Sequence, residues 1–288
     1  MEQVVIMDVT PRDGLQDAGW YVPLEEKAAL IRGLVDAGVR SVEITSFVHP
    51  KWIPLLADGD RLVPLLRRLK GTWIALAPNE RGVERAAAAG VSGVTLVASA
   101  SESHNRANLN HSRTETLDIL RRAAERARAA GLKVRGAVST AFDCPFEGTV
   151  PIASVMAVVE AYLALGVDEI GIADTIGTAN PSAVKERVRA LNDACEGVPL
   201  SLHLHDRCGW GLENISAAYE YGVRRFEAAL GSLGGCPYAP GAAGNLDTER
   251  LVSFFAEQGI DTGIEVDKLA AVRERLFTVL SHRLPAPE

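Results

Sequence analysis

The chain has 288 residues, 47% hydrophobic and 23% charged, the balance of a globular protein with room for a large core. A net charge of −7 without a lysine- or arginine-rich block argues against a nucleic-acid groove, although a few local arginines would still hold a small phosphate. Cys144, Cys195, Cys208 and Cys236 are scattered with no CxxC pair, against a disulfide scaffold or zinc knuckle, and no apolar run nears the roughly 18 residues of a membrane span.

The opening MEQVVIMDVTPRDG has an acidic residue and a short apolar run instead of a basic start and long apolar centre, so a secretory leader is not expected and the cytoplasm is the expected compartment. Short β-branched runs then alternate with alanine- and leucine-rich stretches. The expected strands are Val4–Val9, Ser41–Ser46, Trp73–Ala77, Gly93–Ala98, Lys133–Ser139, Glu169–Ala173, Leu200–Leu204 and Arg225–Leu230. The expected helices include Leu24–Ala37, Arg113–Ala130, Ile152–Leu165, Pro181–Ala194, Leu212–Tyr221 and Thr248–Gln258. Glycine closes several of the helical stretches just before the next strand (AGV at 37–39 and 89–91, AGL at 130–132, LGV at 165–167, YGV at 221–223), because it accepts the left-handed conformation that ends a helix.

Eight βα units without a composition break predict one α/β domain over residues 1–288, a (β/α)8 TIM barrel with an appended helix at 266–280. A doubly wound open sheet is disfavoured, since no G-x-G-x-x-G follows the first strand. Trp20, Trp52, Trp73 and Trp210 are expected to be packing residues.

Barrel enzymes do their chemistry where strands end. The first strand runs into PRDGLQ, with Arg12, Asp13 and Gln16, and the second carries Glu43 and Thr45. The fourth leads into SASESHNRANLNHS, read as a long polar loop with Glu102, Arg106, Asn108 and Asn110. The sixth ends at Asp174 and Thr175. The seventh ends in HLHD, and after the eighth comes a small-residue run with Cys236 and Asn245. On a strand, residues i and i+2 share a face, so His203 and His205 point the same way.

Asp13, His203, His205 and Asn245 are a mixed oxygen and nitrogen set suited to Mg2+ or Mn2+, with Zn2+ also compatible. An ion chelated by oxygens of a hydroxyacid, beside Arg12, stabilises an alkoxide and then an enolate. A thiol on a closing loop, Cys236, moves a proton at the carbon so formed. Gln16, Thr175, Asn108 and Asn110 are the expected substrate contacts. The His-x-His pair of metallohydrolase barrels, a rival reading, usually sits at the first strand.

The segments PRDGLQ, VEITSFVHPKW, ASASES, CPFEG, DTIG, HLHD and SLGGCPYAPGAAGN resemble, in order and over almost the whole chain, the 3-hydroxy-3-methylglutaryl-CoA lyase family of metal-dependent TIM barrels. The resemblance implies cleavage of an acyl-CoA to acetyl-CoA and a keto acid, acetoacetate for the usual substrate. It places metal ligands on Asp13, His203, His205 and Asn245 and the enolate-stabilising arginine on Arg12. The loop cysteine falls on Cys236 and the active-site acids on Glu43 and Asp174, while His203 is also a candidate proton carrier. A homodimer or larger homo-oligomer is the expected assembly, with no nucleic-acid or membrane partner. RCGWGLEN after HLHD departs from the family's Thr-Tyr-Gly-Gln-Ala-like run, and so do His104 and Ala107, where the family tends to have Phe and Lys. Arg207, Cys208 and Trp210 would thus reshape the acyl pocket.

Overall fold

In the computed structural model, which describes residues 3–195, 197–235 and 244–286, eight parallel strands close into a barrel in sequence order. They are Val5–Asp8, Ser41–Ser46, Thr72–Leu76, Gly93–Ser99, Lys133–Ser139, Glu169–Asp174, Leu200–Leu204 and Arg225–Ala228. The seam pairs the first strand with the eighth, Val5 opposite Arg225 through Asp8 opposite Ala228. The sixth and seventh are parallel from Ile170–Leu200 to Asp174–Leu204. Both faces of a barrel strand are covered, so these segments read as nearly continuous Val, Ile and Leu runs. The second strand is buried at all six positions.

The helices form the outer ring. Leu24–Asp36, Arg113–Ala129, Ile152–Ala164, Pro181–Cys195, Gly211–Glu220 and Thr248–Glu257 lie within a residue of expectation. Val266–Ser281 packs against Leu24–Asp36, where Gly33 brings the two close enough that an added Cβ would lie 2.6 Å from Val272. Among the described residues no helix is long and apolar enough to cross a membrane.

Three expectations are corrected. The segment after the fourth strand contains a helix, Glu102–Leu109, capped by the Ser101 side chain, which accepts from the His104 N–H. It ends at Asn110 in the left-handed conformation, φ 57°, which asparagine tolerates better than most residues. The eighth strand stops at Ala228, and Leu230–Ser232 is a 3-10 turn. Of the four tryptophans only Trp73 is buried. Trp20, Trp52 and Trp210 are exposed, Trp52 at 79%, because they stand in loops rather than on inward helix faces.

At the end of the first strand, buried Asp8 ties the strand to the helix Thr248–Glu257. Its carboxylate accepts from the Thr10 N–H (2.9 Å) and the Thr248 hydroxyl (2.8 Å). Burial outweighs these bonds and pushes its pKa up to about 6. A carboxyl whose folded pKa is raised favours folding less as it ionises, so stability drops as pH rises through 4 to 6 and the penalty is complete above that. Asp8→Asn should remove this slope. In urea unfolding, wild type should lose about 2 kcal/mol relative to the variant between pH 4 and pH 8. Parallel pH profiles would refute this.

Candidate active site

The barrel mouth gathers six of the residues singled out in the sequence. The first strand ends in a wide turn, Thr10–Gly14, in which the N–H groups of Arg12, Asp13 and Gly14 all reach the Val9 carbonyl (3.1, 2.8 and 3.1 Å). Such π-type turns recur at functional sites. Arg12 donates through Nε to Glu43 Oε2 at 2.5 Å and through Nη1 to Asp13 Oδ1. Glu43 is completely buried beside a register shift between the second and third strands, an irregularity of the kind that re-aims a side chain.

Opposite stand the two histidines. Their Nε2 atoms approach to 3.1 Å, so both rings aim the same nitrogen at one point, as the i, i+2 spacing requires. His205 Nε2 lies 3.9 Å from Asp13 Oδ2. Asn245 pairs with His205 in an isolated bridge, and its Nδ2 donates to Asp13 Oδ2 (2.7 Å) and the Leu233 carbonyl (2.8 Å). Because both those partners are acceptors, the amide orientation is determined. Its buried Oδ1 is left without a hydrogen-bond partner among the described residues. Gly234, at φ +103°, makes room for this group, because a Cβ there would lie 2.3 Å from Asn245 Nδ2 and 3.0 Å from Asp13 Oδ2.

Asp13, His203 and His205 place one donor atom each within 4.8 Å of one another. Adjacent donors about 2.1 Å from a common small cation lie about 3 Å apart, close to the observed Nε2–Nε2 edge. At the mouth Asp13 and Glu43 share one guanidinium, the part-buried Arg12, whereas Glu169 and Glu227 deeper in the barrel are matched by Arg135 and by Arg225, which reaches Glu169 from the solvent edge at 3.3 Å. The orphaned Asn245 oxygen, the converging imidazoles and this negative excess fit a divalent cation. Burial opposes ionisation of Asp13, but the Arg12 guanidinium, then both histidines and the Asn245 bond, hold its carboxyl well below the usual carboxylate range. Burial likewise disfavours charge on His203, and Glu227 outweighs it, raising the ring's pKa.

The other sequence candidates are placed differently. Asp174 ends the sixth strand, and its carboxylate accepts from the backbone of Gly177 (3.0 Å), Thr178 (3.2 Å) and Ala179 (2.9 Å). Burial still pushes its pKa up to about 6. These contacts hold the loop beside His205, whose N–H reaches the Asp174 carbonyl. Thr175 Oγ1 accepts from the Thr140 N–H at 2.7 Å, joining the loops after the fifth and sixth strands. Gln16 is half-buried just past the first turn, and Asn108 and Asn110 are exposed. Cys236 lies outside the described residues.

Two charged neighbours of the histidine strand escape a reading of strand ends. Glu227 and Arg135 sit inside strands, and Glu227 Oε2 lies 3.0 Å from His203 Nδ1 while Oε1 pairs with Arg135. The signal available in the sequence is a charged residue in the middle of an apolar strand, which must find a partner.

A family model described as HMGL-like matches residues 3–276. The hydroxymethylglutaryl-CoA lyase YngG of Bacillus subtilis is 40% identical over 286 residues, covering 99% of this chain and 96% of that protein. An (R)-citramalyl-CoA lyase of Chloroflexus aurantiacus is 40% identical over 297 residues, with 99% and 94% covered. The structure of an HMG-CoA lyase from Acinetobacter baumannii, in complex with coenzyme A and 3-methylmalate, superposes with a TM-score of 0.92 at 40% identity, covering 99% of this chain and 93% of that one. With a matching barrel and relatives that are carbon–carbon lyases over nearly its whole length, the chain belongs to the HMGL-like family.

Proposed function

We propose that this enzyme is a divalent-metal-dependent lyase that cleaves 3-hydroxy-3-methylglutaryl-CoA to acetyl-CoA and acetoacetate. The observation that carries the reading is the convergence of Asp13, His203, His205 and Asn245 at the barrel mouth with Arg12 bonded to Asp13. Mg2+ or Mn2+ suits the mixed oxygen and nitrogen donors, with Zn2+ as the other compatible ion. Asp13, His203, His205 and Asn245 would hold the ion, which when bound would supply Lewis acidity to the substrate hydroxyl.

The chain's own groups do the rest. A base takes the proton of the tertiary hydroxyl, and His203, with Nδ1 on Glu227 and Nε2 turned to the ion position, acts beside it as a ligand. The C2–C3 bond then breaks, its electron pair moves into the thioester as an enolate, and the former carbinol carbon becomes the ketone. Arg12 offers positive charge to the enolate oxygen, and Glu43 and Asp13 hold its fork in place. A proton delivered to the enolate carbon completes acetyl-CoA, and Cys236 is the proposed donor. Asp174 and Thr175 keep the adjoining loops in position, and Gln16, Asn108 and Asn110 remain the proposed contacts for the rest of the substrate. The enzyme is proposed to work in the cytoplasm as a homodimer or larger homo-oligomer.

The 40% identity to a citramalyl-CoA lyase favours a second reading, the same cleavage on a different 3-hydroxyacyl-CoA. Arg207, Cys208 and Trp210 are all exposed on the loop that follows the histidine strand, where they would meet the acyl group. A panel of 3-hydroxyacyl-CoA thioesters, including 3-hydroxy-3-methylglutaryl-CoA and citramalyl-CoA, assayed for acetyl-CoA release with Mg2+, decides between the two. The first reading expects the highest kcat/KM with the methylglutaryl thioester. A tenfold preference for another member selects the second, and no acetyl-CoA from any member overturns both.

A further inference from the structure

His203 is gripped from both ends of its ring. Nε2 faces His205, and Nδ1 lies 3.0 Å from Oε2 of Glu227. Glu227 stands in register with His203 on the neighbouring eighth strand and is only 3% exposed. Its other oxygen, Oε1, accepts from Arg135 Nη2. Arg135 is itself buried and fixed by Glu169 Oε1 (2.7 Å) and Ser201 Oγ (2.8 Å). Ser201 is two residues before His203 and shares its face, so the strand that carries the histidines also anchors Arg135.

The donor inventory of this row leaves one arrangement. A guanidinium only donates, so Arg135 requires an acceptor in Glu227. An ionised carboxylate only accepts, so the hydrogen between Glu227 and His203 belongs to Nδ1 of the imidazole. A neutral His203 then keeps its lone pair on Nε2, the nitrogen that faces His205 and the Asp13 side of the site.

We infer that Glu227, clamped by Arg135, is a positioning residue that holds His203 in its Nδ1–H tautomer and so presents Nε2 to the metal. The inference rests on the metal reading above and adds to it the residue pair that prepares the ligand. Outer-shell partners of this kind change metal affinity about 10- to 100-fold when removed.

The test is the Glu227→Gln substitution, which keeps size and shape. Arg135 still demands an acceptor, so the new amide must turn its oxygen to Arg135 and its NH2 to His203. Nδ1 is thereby forced to accept, and the proton moves to Nε2, the wrong tautomer for binding. In 15N NMR of the metal-free protein, with His203 assigned from a His203→Gln sample, wild type should show a protonated Nδ1 and Glu227→Gln a protonated Nε2. Calorimetric Mn2+ titration should show affinity at least tenfold weaker in the variant. Arg135→Met combined with Glu227→Leu removes both charges at once, a change buried pairs often tolerate. This double variant should show mixed His203 tautomers and affinity also at least tenfold weaker, and it decides the matter if the single variant does not fold. A purely structural ion pair would shift the melting temperature while leaving tautomer and Mn2+ affinity unchanged, and that result overturns the inference. Wild type with a protonated Nδ1 that binds no Mn2+ would instead overturn the metal reading and leave the orientation by Glu227 standing.

Discussion

Replacing Arg12 by lysine is expected to lower kcat for thioester cleavage about 100- to 1,000-fold, the scale seen when one preorganised oxyanion donor is lost, while the melting temperature moves by only a few degrees. Arg12 is tied to both Glu43 and Asp13 through different nitrogens of one planar group. An ammonium keeps the charge and loses that fork, so it cannot hold both acids while still offering an N–H to substrate. Glu43 is fully buried and would be left with a weakened partner, which accounts for the small cost in stability. Paired measurements of kcat and Mn2+ affinity separate the effects: the first should collapse and the second should change less than tenfold. A kcat within threefold of wild type would remove Arg12 from the chemistry.

Much of this site is legible in the sequence because its geometry follows from local periods. His203 and His205 alternate with buried leucines, so one strand assignment sends both rings the same way. Asp13 and Arg12 follow immediately on the first strand. The barrel itself is read from glycine-closed helices repeating ahead of β-branched runs. The helix Glu102–Leu109 is hidden for a physical reason: its buried residues are His104 and Asn105, so it has no apolar face to betray a period. Its signals are the caps at either end, Ser101 and Asn110, together with the Ser112–Glu115 capping box of the next helix.

The pairing of the clamp behind His203 is unreadable for a different reason, although each charged residue stands out in its apolar strand. Arg135 and Glu227 are 92 residues apart and meet only because barrel closure brings the fifth, seventh and eighth strands around one interior. No local pattern encodes that meeting. The tryptophans show the reverse error, since size alone suggests burial, whereas position on a βα loop decides exposure for Trp52 and Trp210.

The donor set, its orphaned amide oxygen and its excess of carboxylates all lead to a cation at the barrel mouth, and the most direct measurement concerns that ion. The protein is stripped with EDTA, desalted, and assayed for acetyl-CoA release from 3-hydroxy-3-methylglutaryl-CoA before and after addition of Mg2+ or Mn2+. The rate should fall at least 100-fold on stripping, in keeping with the several kcal/mol a Lewis acid contributes, and return when either ion is restored. Full activity in the metal-free protein would contradict the account.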